Sequence, residues 1–223
     1  MRGIVFIGGE GPPAARSREL AGRADIIAAA DSGLIAAEEA GLYPQWIIGD
    51  MDSLGDLRRL EKYPPERVLR YPADKDYTDT ELALRFLWDQ GCDETWIVGG
   101  GGGRIDHLLA IRSLFERERS PDRWITGSED IRRLRAGDTL RFGAEGEGGG
   151  PGSPAPPRGC RVSVFPLGDG PWKAKSRFLT WPLDGLSWDR GFFGVSNTAP
   201  EGHFSVYAEG GNFLVISPLL PER

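Results

Sequence analysis

Apolar and polar positions divide this chain into two textures. Up to about residue 130, short apolar runs alternate with amphipathic stretches of helical length. The runs at 4–7, 26–30, 46–48, 68–71, 95–98 and 124–126 predict strands. The stretches at 13–21, 33–40, 54–62, 79–90 and 105–118 predict helices. Strands and helices alternating at this spacing imply a parallel sheet with helices on both faces. The helix from Asp79 is the most regular: Leu82, Ala83, Phe86 and Leu87 keep the 3.6-residue period, and Thr78 with Glu81 forms a capping-box signature at its start.

Beyond about Glu129 the helical period stops. Short β-type runs broken by Gly and Pro take over, at 139–142, 161–165, 177–181, 191–196, 204–208 and 213–217. Many short strands with turn signals predict a sandwich or a barrel. The expected organisation is a Rossmann-like α/β domain over 1–130 and an all-β sandwich domain over 131–223. Residues 143–159, dominated by Gly and Pro, read as a flexible insertion in a surface hairpin. Relative to a four-residue turn, its length adds only about 1.2 kcal/mol of closure cost.

Composition narrows the function classes. Thirty-three acids against 27 bases give a net charge of −6, which disfavours broad nucleic-acid binding. Two cysteines among 223 residues form no disulfide framework and suit a reducing compartment. The four-residue apolar run at 4–7 is too short for a signal-peptide core, and no stretch approaches a membrane span. A cytoplasmic protein with no membrane partner is expected.

The chemistry lies at four strand-to-helix junctions. They read Asp31-Ser32-Gly33, Gly49-Asp50-Met51-Asp52-Ser53, Lys75-Asp76-Tyr77-Thr78-Asp79, and five glycines at 99–103 followed by Arg104-Ile105-Asp106-His107. In an open parallel sheet the carboxyl ends of the strands share one edge, where ligands bind. Helix capping alone explains one acidic residue per junction, not this number. Carboxylates about 5 Å apart repel by about 3 kcal/mol per pair at an effective dielectric near 20. A converging set therefore calls for a cation, and oxygen ligands suit Mg²⁺ with substrate phosphates in its shell. No Cys/His array favours zinc, since His107 and His203 are the only histidines. The glycine run lacks the Gly-Lys-Ser/Thr of a P-loop, and the first strand lacks a dinucleotide fingerprint. Its missing Cβ atoms would let backbone N–H groups approach phosphate, with Arg104 as a fixed positive fork.

Taken in order, these four signatures resemble the thiamine pyrophosphokinase family. The similarity continues through Leu179-Thr180-Trp181-Pro182-Leu183 and Gly194-Val195-Ser196-Asn197, and ends with Gly211-Asn212-Phe213-Leu214-Val215-Ile216. The resemblance implies a homodimer that transfers a diphosphate from ATP to the thiamine hydroxyl, giving thiamine diphosphate and AMP. It implies Mg²⁺ on Asp50, Asp52 and Asp79. ATP contacts are implied for Asp31, Lys75, Gly102, Gly103 and Arg104. Arg104 and Asp106 join the three metal-site aspartates as catalytic residues, with Asp79 or Asp106 as the proton acceptor. Ser196, Asn197 and Trp181 are implied for thiamine. Ile111 departs from the family pattern, where many members carry Asn. Two rivals accompany this reading: a diphosphokinase for another hydroxymethyl heterocycle such as a pterin, and a non-catalytic thiamine or nucleotide sensor.

Overall fold

A computed structural model of the chain describes residues 1–143 and 156–219. Two compact units emerge, Met1–Leu114 with Arg119–Ser128, and Phe115–Glu118 with Glu129–Arg223. The chain combines a large mostly parallel sheet with antiparallel sheet. Most of the expected insertion, residues 144–155, lies outside the described residues.

The first unit opens with β1 (Arg2–Phe6), α1 (Ala14–Ala21), β2 (Ile26–Ala30), α2 (Gly33–Glu39) and β3 (Trp46–Gly49). It continues with β4 (Val68–Arg70), α3 (Asp79–Asp89), β5 (Glu94–Val98), α4 (Ile105–Leu114) and β6 (Arg123–Ile125). These six strands run parallel in the order β6-β5-β1-β2-β3-β4. The interior strands are apolar on both faces because helices cover both, and Ile4, Val5, Ile47, Ile48 and Ile97 are fully buried. The chain steps outward from β1 to β4 and then returns to β5 on the other side of β1, so all the carboxyl ends share one edge.

One expected helix is absent. Residues 54–62 form two 3₁₀ segments, Asp52–Leu54 and Leu57–Lys62. Gly55 at φ 70° breaks the path, and the Asp56 side chain caps the second segment by accepting from the Arg58 N–H. The apolar positions of this stretch still find a core, since Leu54, Leu60 and Tyr63 pack with Met51, Leu34 and Ile47. The helix α4 also ends at Leu114, short of the expected 118.

The second unit holds β7 (Glu129–Leu134), β8 (Thr139–Phe142), β9 (Cys160–Leu167), β10 (Lys173–Arg177), β11 (Gly194–Ala199), β12 (Phe204–Gly210) and β13 (Asn212–Pro218). They pair antiparallel as β11-β9-β13-β7 and as β10-β12-β8. Val162, Val164, Phe213 and Val215 from the first set and Phe142, Ala174, Phe204 and Val206 from the second share one buried cluster. The Phe142 and Phe204 rings stack at 4.4 Å.

Strand positions here differ from the sequence expectation. The expected strand at 177–181 lies instead at Lys173–Arg177, where Ala174 is buried while Lys173, Lys175 and Arg177 face outward. Its pairing with β12 outweighs a weak intrinsic β propensity. The strand expected at 191–196 runs over Gly194–Ala199. An additional strand, β7, is concealed by the Arg132-Arg133 pair in its middle. Among the described residues no helix is long and apolar enough to cross a membrane.

Candidate active site

The parallel pairing of β2 with β3 sets Ala30 opposite Ile48, so the residues that follow the two strands emerge side by side. Asp31 follows β2 directly, at φ 45°, and Asp50 follows the last residue of β3. Asp79 is the first residue of α3, whose Thr78 cap and Glu81 complete a reciprocal capping box. One carboxylate oxygen from each of Asp31, Asp50 and Asp79 lies within 4.8 Å of the other two. The capping alternative does not account for Asp31-Ser32, because Ser32 makes no side-chain cap bond to α2.

Gly49 allows this convergence. It sits at φ 146°, and a Cβ there would stand 2.9 Å from Asp79 Oδ1 and 3.4 Å from the Asp31 Cβ. Two further residues carry backbone strain at the site, Asp31 and Met51, the latter at φ 69°. Non-glycine residues in the left-handed region cost about 1–3 kcal/mol each and are kept where the surrounding structure fixes them.

Partners are unevenly shared within the cluster. Lys75 Nζ lies 2.6 Å from Asp50 Oδ2 and 3.2 Å from Asp79 Oδ1. The first contact is a hydrogen bond; the second is an ion pair off the hydrogen-bond direction. Ser53 Oγ donates to Asp31 Oδ2. Asp31 Oδ1 and Asp79 Oδ1 are buried with no hydrogen-bond partner among the described residues. The Lys75 bond holds the Asp50 carboxyl below its usual value. Burial pushes Asp79 up, against the pull of Lys75. Burial pulls Lys75 down, and the neighbouring Asp50 and Asp79 carboxylates outweigh that and leave it raised.

Each carboxylate pair at this spacing repels by roughly 3 kcal/mol at an effective dielectric near 20. One ammonium reaches only two of the three groups. Two orphaned carboxylate oxygens beside a third carboxylate form an all-oxygen donor set, which fits a hard divalent cation. Asp52 stands outside the three. It is exposed at the start of a 3₁₀ segment, and its N–H donates to Asp50 Oδ1 at 3.3 Å. Asp31, read from sequence as a nucleotide contact, takes the third place. The adjacency of β2 and β3, consecutive strands of one sheet, was the signal for it.

The glycine loop is more constrained than its composition suggests. The N–H groups of Gly99, Gly100 and Gly101 donate to the carbonyls of Ile125, Gly8 and Glu10. Gly102 and Gly103 are exposed. Ile111 is buried beneath the loop, and a Cβ on Gly100 would stand 2.8 Å from its Cδ1. Its role is packing against the loop. Arg104 and Asp106 form an exposed bidentate pair with each other, which raises the guanidinium and lowers the carboxyl. His107 is exposed in the first turn of α4.

In the second unit the 179–183 and 194–197 motifs meet. The Asn197 amide donates to the Trp181 carbonyl at 2.6 Å, and its Oδ1 accepts from the Trp181 N–H at 3.1 Å and the Thr198 N–H at 2.8 Å. Asn197 is thereby committed to backbone. Ser196 is exposed at φ 60°. Trp181 lies outside any strand and is 60% exposed, the opposite of a core tryptophan.

Residues 17–124 match the family described as "Thiamin pyrophosphokinase, catalytic domain". A thiamine pyrophosphokinase from Bacillus subtilis (strain 168) is 38% identical over 89 residues, which span 39% of this chain and 41% of that protein. Among solved structures, thiamine pyrophosphokinase from Bacillus subtilis superposes with a TM-score of 0.74 at 21% identity, covering 99% of this chain and 100% of the other. The Enterococcus faecalis thiamin pyrophosphokinase family protein gives 0.71 at 22%, covering 99% and 100%. The yeast enzyme gives 0.67 at 13%, covering 98% and 86%. The fold is shared with all three.

Proposed function

We propose that this chain, which across residues 17–124 belongs to the thiamin pyrophosphokinase family, transfers a diphosphate from ATP to the hydroxyl of thiamine. The products are thiamine diphosphate and AMP. The observation that carries the reading is the Asp31, Asp50 and Asp79 cluster at the sheet edge, with two buried oxygens that no hydrogen bond among the described residues satisfies. The finer fold reading is a Rossmann-like catalytic domain followed by a β-sandwich, supported by the parallel strand order and by the single core shared by the two antiparallel sets.

In this reading Asp31, Asp50 and Asp79 would hold Mg²⁺, with Asp52 placed to join them when substrate is bound. The ion, when present, supplies positive charge to the triphosphate. The thiamine hydroxyl attacks the β-phosphorus in line, the bond to the α-phosphate oxygen breaks, and AMP leaves. The protein's share is positioning and charge stabilisation. Arg104 opens its pair with Asp106 to grip phosphate, while Gly102 and Gly103, with no side chains to intrude, border the phosphates. Asp79 or Asp106 takes the proton of the attacking hydroxyl. On the thiamine side, Trp181 and Ser196 face the substrate, and Asn197 fixes the Trp181 backbone. The exposed aromatics Phe178, Trp181, Phe192 and Phe193 support a homodimer.

The test is incubation with ATP, Mg²⁺ and thiamine, followed by mass detection of both products. Thiamine diphosphate and AMP in equal amounts are expected. Binding of thiamine with no AMP formed would mean a sensor. AMP formed only with a pterin alcohol would mean the other diphosphokinase.

A further inference from the structure

We propose that Lys75 is a built-in counter-ion for the carboxylate crevice, one that holds Asp50 and Asp79 in ligand geometry until a divalent cation displaces it. This rests on the metal reading above. The Nζ atom reaches both carboxylates, at 2.6 and 3.2 Å, and the side chain is only 12% exposed. Without it, three carboxylates within 4.8 Å would repel with nothing to draw them together. The cluster would splay, and the cation would have to reassemble it on binding.

The choice of residue fits an exchange. A lysine ammonium is a compact point charge on a flexible stem, able to leave two carboxylates and meet a phosphate. An arginine would lock onto a carboxylate in a two-pronged fork. Lys75 also lies in the irregular segment between β4 and α3, with no ladder or helix to hold it in place. The ammonium offsets one of the three negative charges, and a divalent ion in its place offsets two. Displacement by that ion frees the ammonium for the incoming polyphosphate. Lys75 is thus a positioning residue before substrate arrives and a phosphate partner afterwards.

The test measures Mg²⁺ binding without nucleotide, by calorimetry, on the wild-type chain and on Lys75→Met. The substitution keeps length and removes charge. Mg²⁺ is expected to bind the variant about tenfold more tightly, because the ammonium no longer has to be displaced and that gain exceeds the cost of gathering the acids. In chelator the variant should melt below the wild type, and Mg²⁺ should restore it. Equal or weaker binding by Lys75→Met overturns the exchange while leaving the metal site standing. No binding to either protein overturns both. Should the variant fail to fold, the wild-type chain with ¹⁵N-labelled lysine gives the same answer. The Lys75 Nζ resonance is expected to shift on Mg²⁺ addition, and an unmoved resonance overturns the exchange.

Discussion

The carboxylates at the ends of β2 and β3 and the Arg104–Asp106 pair at the start of α4 carry similar chemistry and are treated in opposite ways. At the first site Asp31 Oδ1 and Asp79 Oδ1 are buried with no hydrogen-bond partner among the described residues, and one lysine serves two acids. At the second, an exposed guanidinium and carboxylate pair through two parallel hydrogen bonds. Orphaned buried oxygens destabilise the fold by about 1–3 kcal/mol each, so a chain keeps them where something else completes the set. The exposed pair carries no such strain and opens at little expense, since surface ion pairs contribute about 0–1 kcal/mol. On the proposed reading the first site is built in advance for a cation, and the second is an arm that moves to phosphate.

The strongest way to break this comparison is to remove an acid from the open set. Asp79→Asn should lower turnover at least 100-fold, the scale seen when a charge-organising group is lost. The melting temperature should hold or rise, because a repelling charge has gone. A steady-state assay beside a thermal melt checks both, and a variant that keeps turnover would end the metal reading. Asp31→Asn and Asp52→Asn then sharpen it. Nucleotide-free Mg²⁺ binding should weaken at least tenfold in Asp31→Asn and hardly change in Asp52→Asn. Asp52→Asn should still lose turnover, as expected of an acid recruited with substrate. Calorimetry giving the opposite order would put Asp52 in the resident set and remove Asp31 from it.

Gly49→Ala tests whether geometry rather than charge makes the crevice. The new Cβ meets Asp79 Oδ1 at 2.9 Å on a backbone at φ 146°. A loss of about 2–4 kcal/mol is expected in urea unfolding, from strain and displaced acids together. A variant as stable as the wild type would mean that the crevice tolerates rearrangement. Arg104→Met should behave otherwise. Its unfolding free energy should stay within about 0.5 kcal/mol of wild type, while the KM for ATP rises. A destabilised Arg104→Met would show that the exposed pair is structural.

The sequence made the open set visible because strand order is nearly fixed once β and α alternate. Asp31, Asp50 and Asp79 had to share an edge whatever the loop details. Asp52 shows the limit of that reasoning: spacing along the chain does not say which of two acids flanking Met51 turns inward, and the αL backbone at Met51 decides it. Closed sets were harder to read. The bonds of Asn197 to the Trp181 backbone depend on the segment after β10 lying beside β11, where the Thr180 N–H also donates to the Thr198 carbonyl, which no local pattern announces. The outward-facing lysines of β10 hid a strand for the same reason, since its partner β12 lies some thirty residues further on. The glycine run misled in part, because three of its N–H groups serve neighbouring backbone rather than phosphate.

The smallest expected effect belongs to a closed carboxylate inside the same unit. Glu38 accepts from Lys62 at 3.1 Å and also pairs with Arg59, tying α2 to the 3₁₀ segment Leu57–Lys62. Burial pushes its carboxyl up, yet the bonds from Lys62 and Arg59 win and hold it below the ordinary 4.5. A lowered carboxyl stabilises the fold above its unfolded value and loses that contribution as pH falls through the folded one. Glu38→Gln should therefore lower stability by about 0.5–1 kcal/mol at pH 7. The gap from wild type should narrow below pH 4.5 and close in stronger acid. Turnover at pH 7 should not change, because every bond of this acid ends within the scaffold. Paired urea titrations at pH 7 and pH 3 with one activity measurement decide it. A pH-independent gap would remove the charge argument, and a fall in turnover would show that closed carboxylates also shape the crevice.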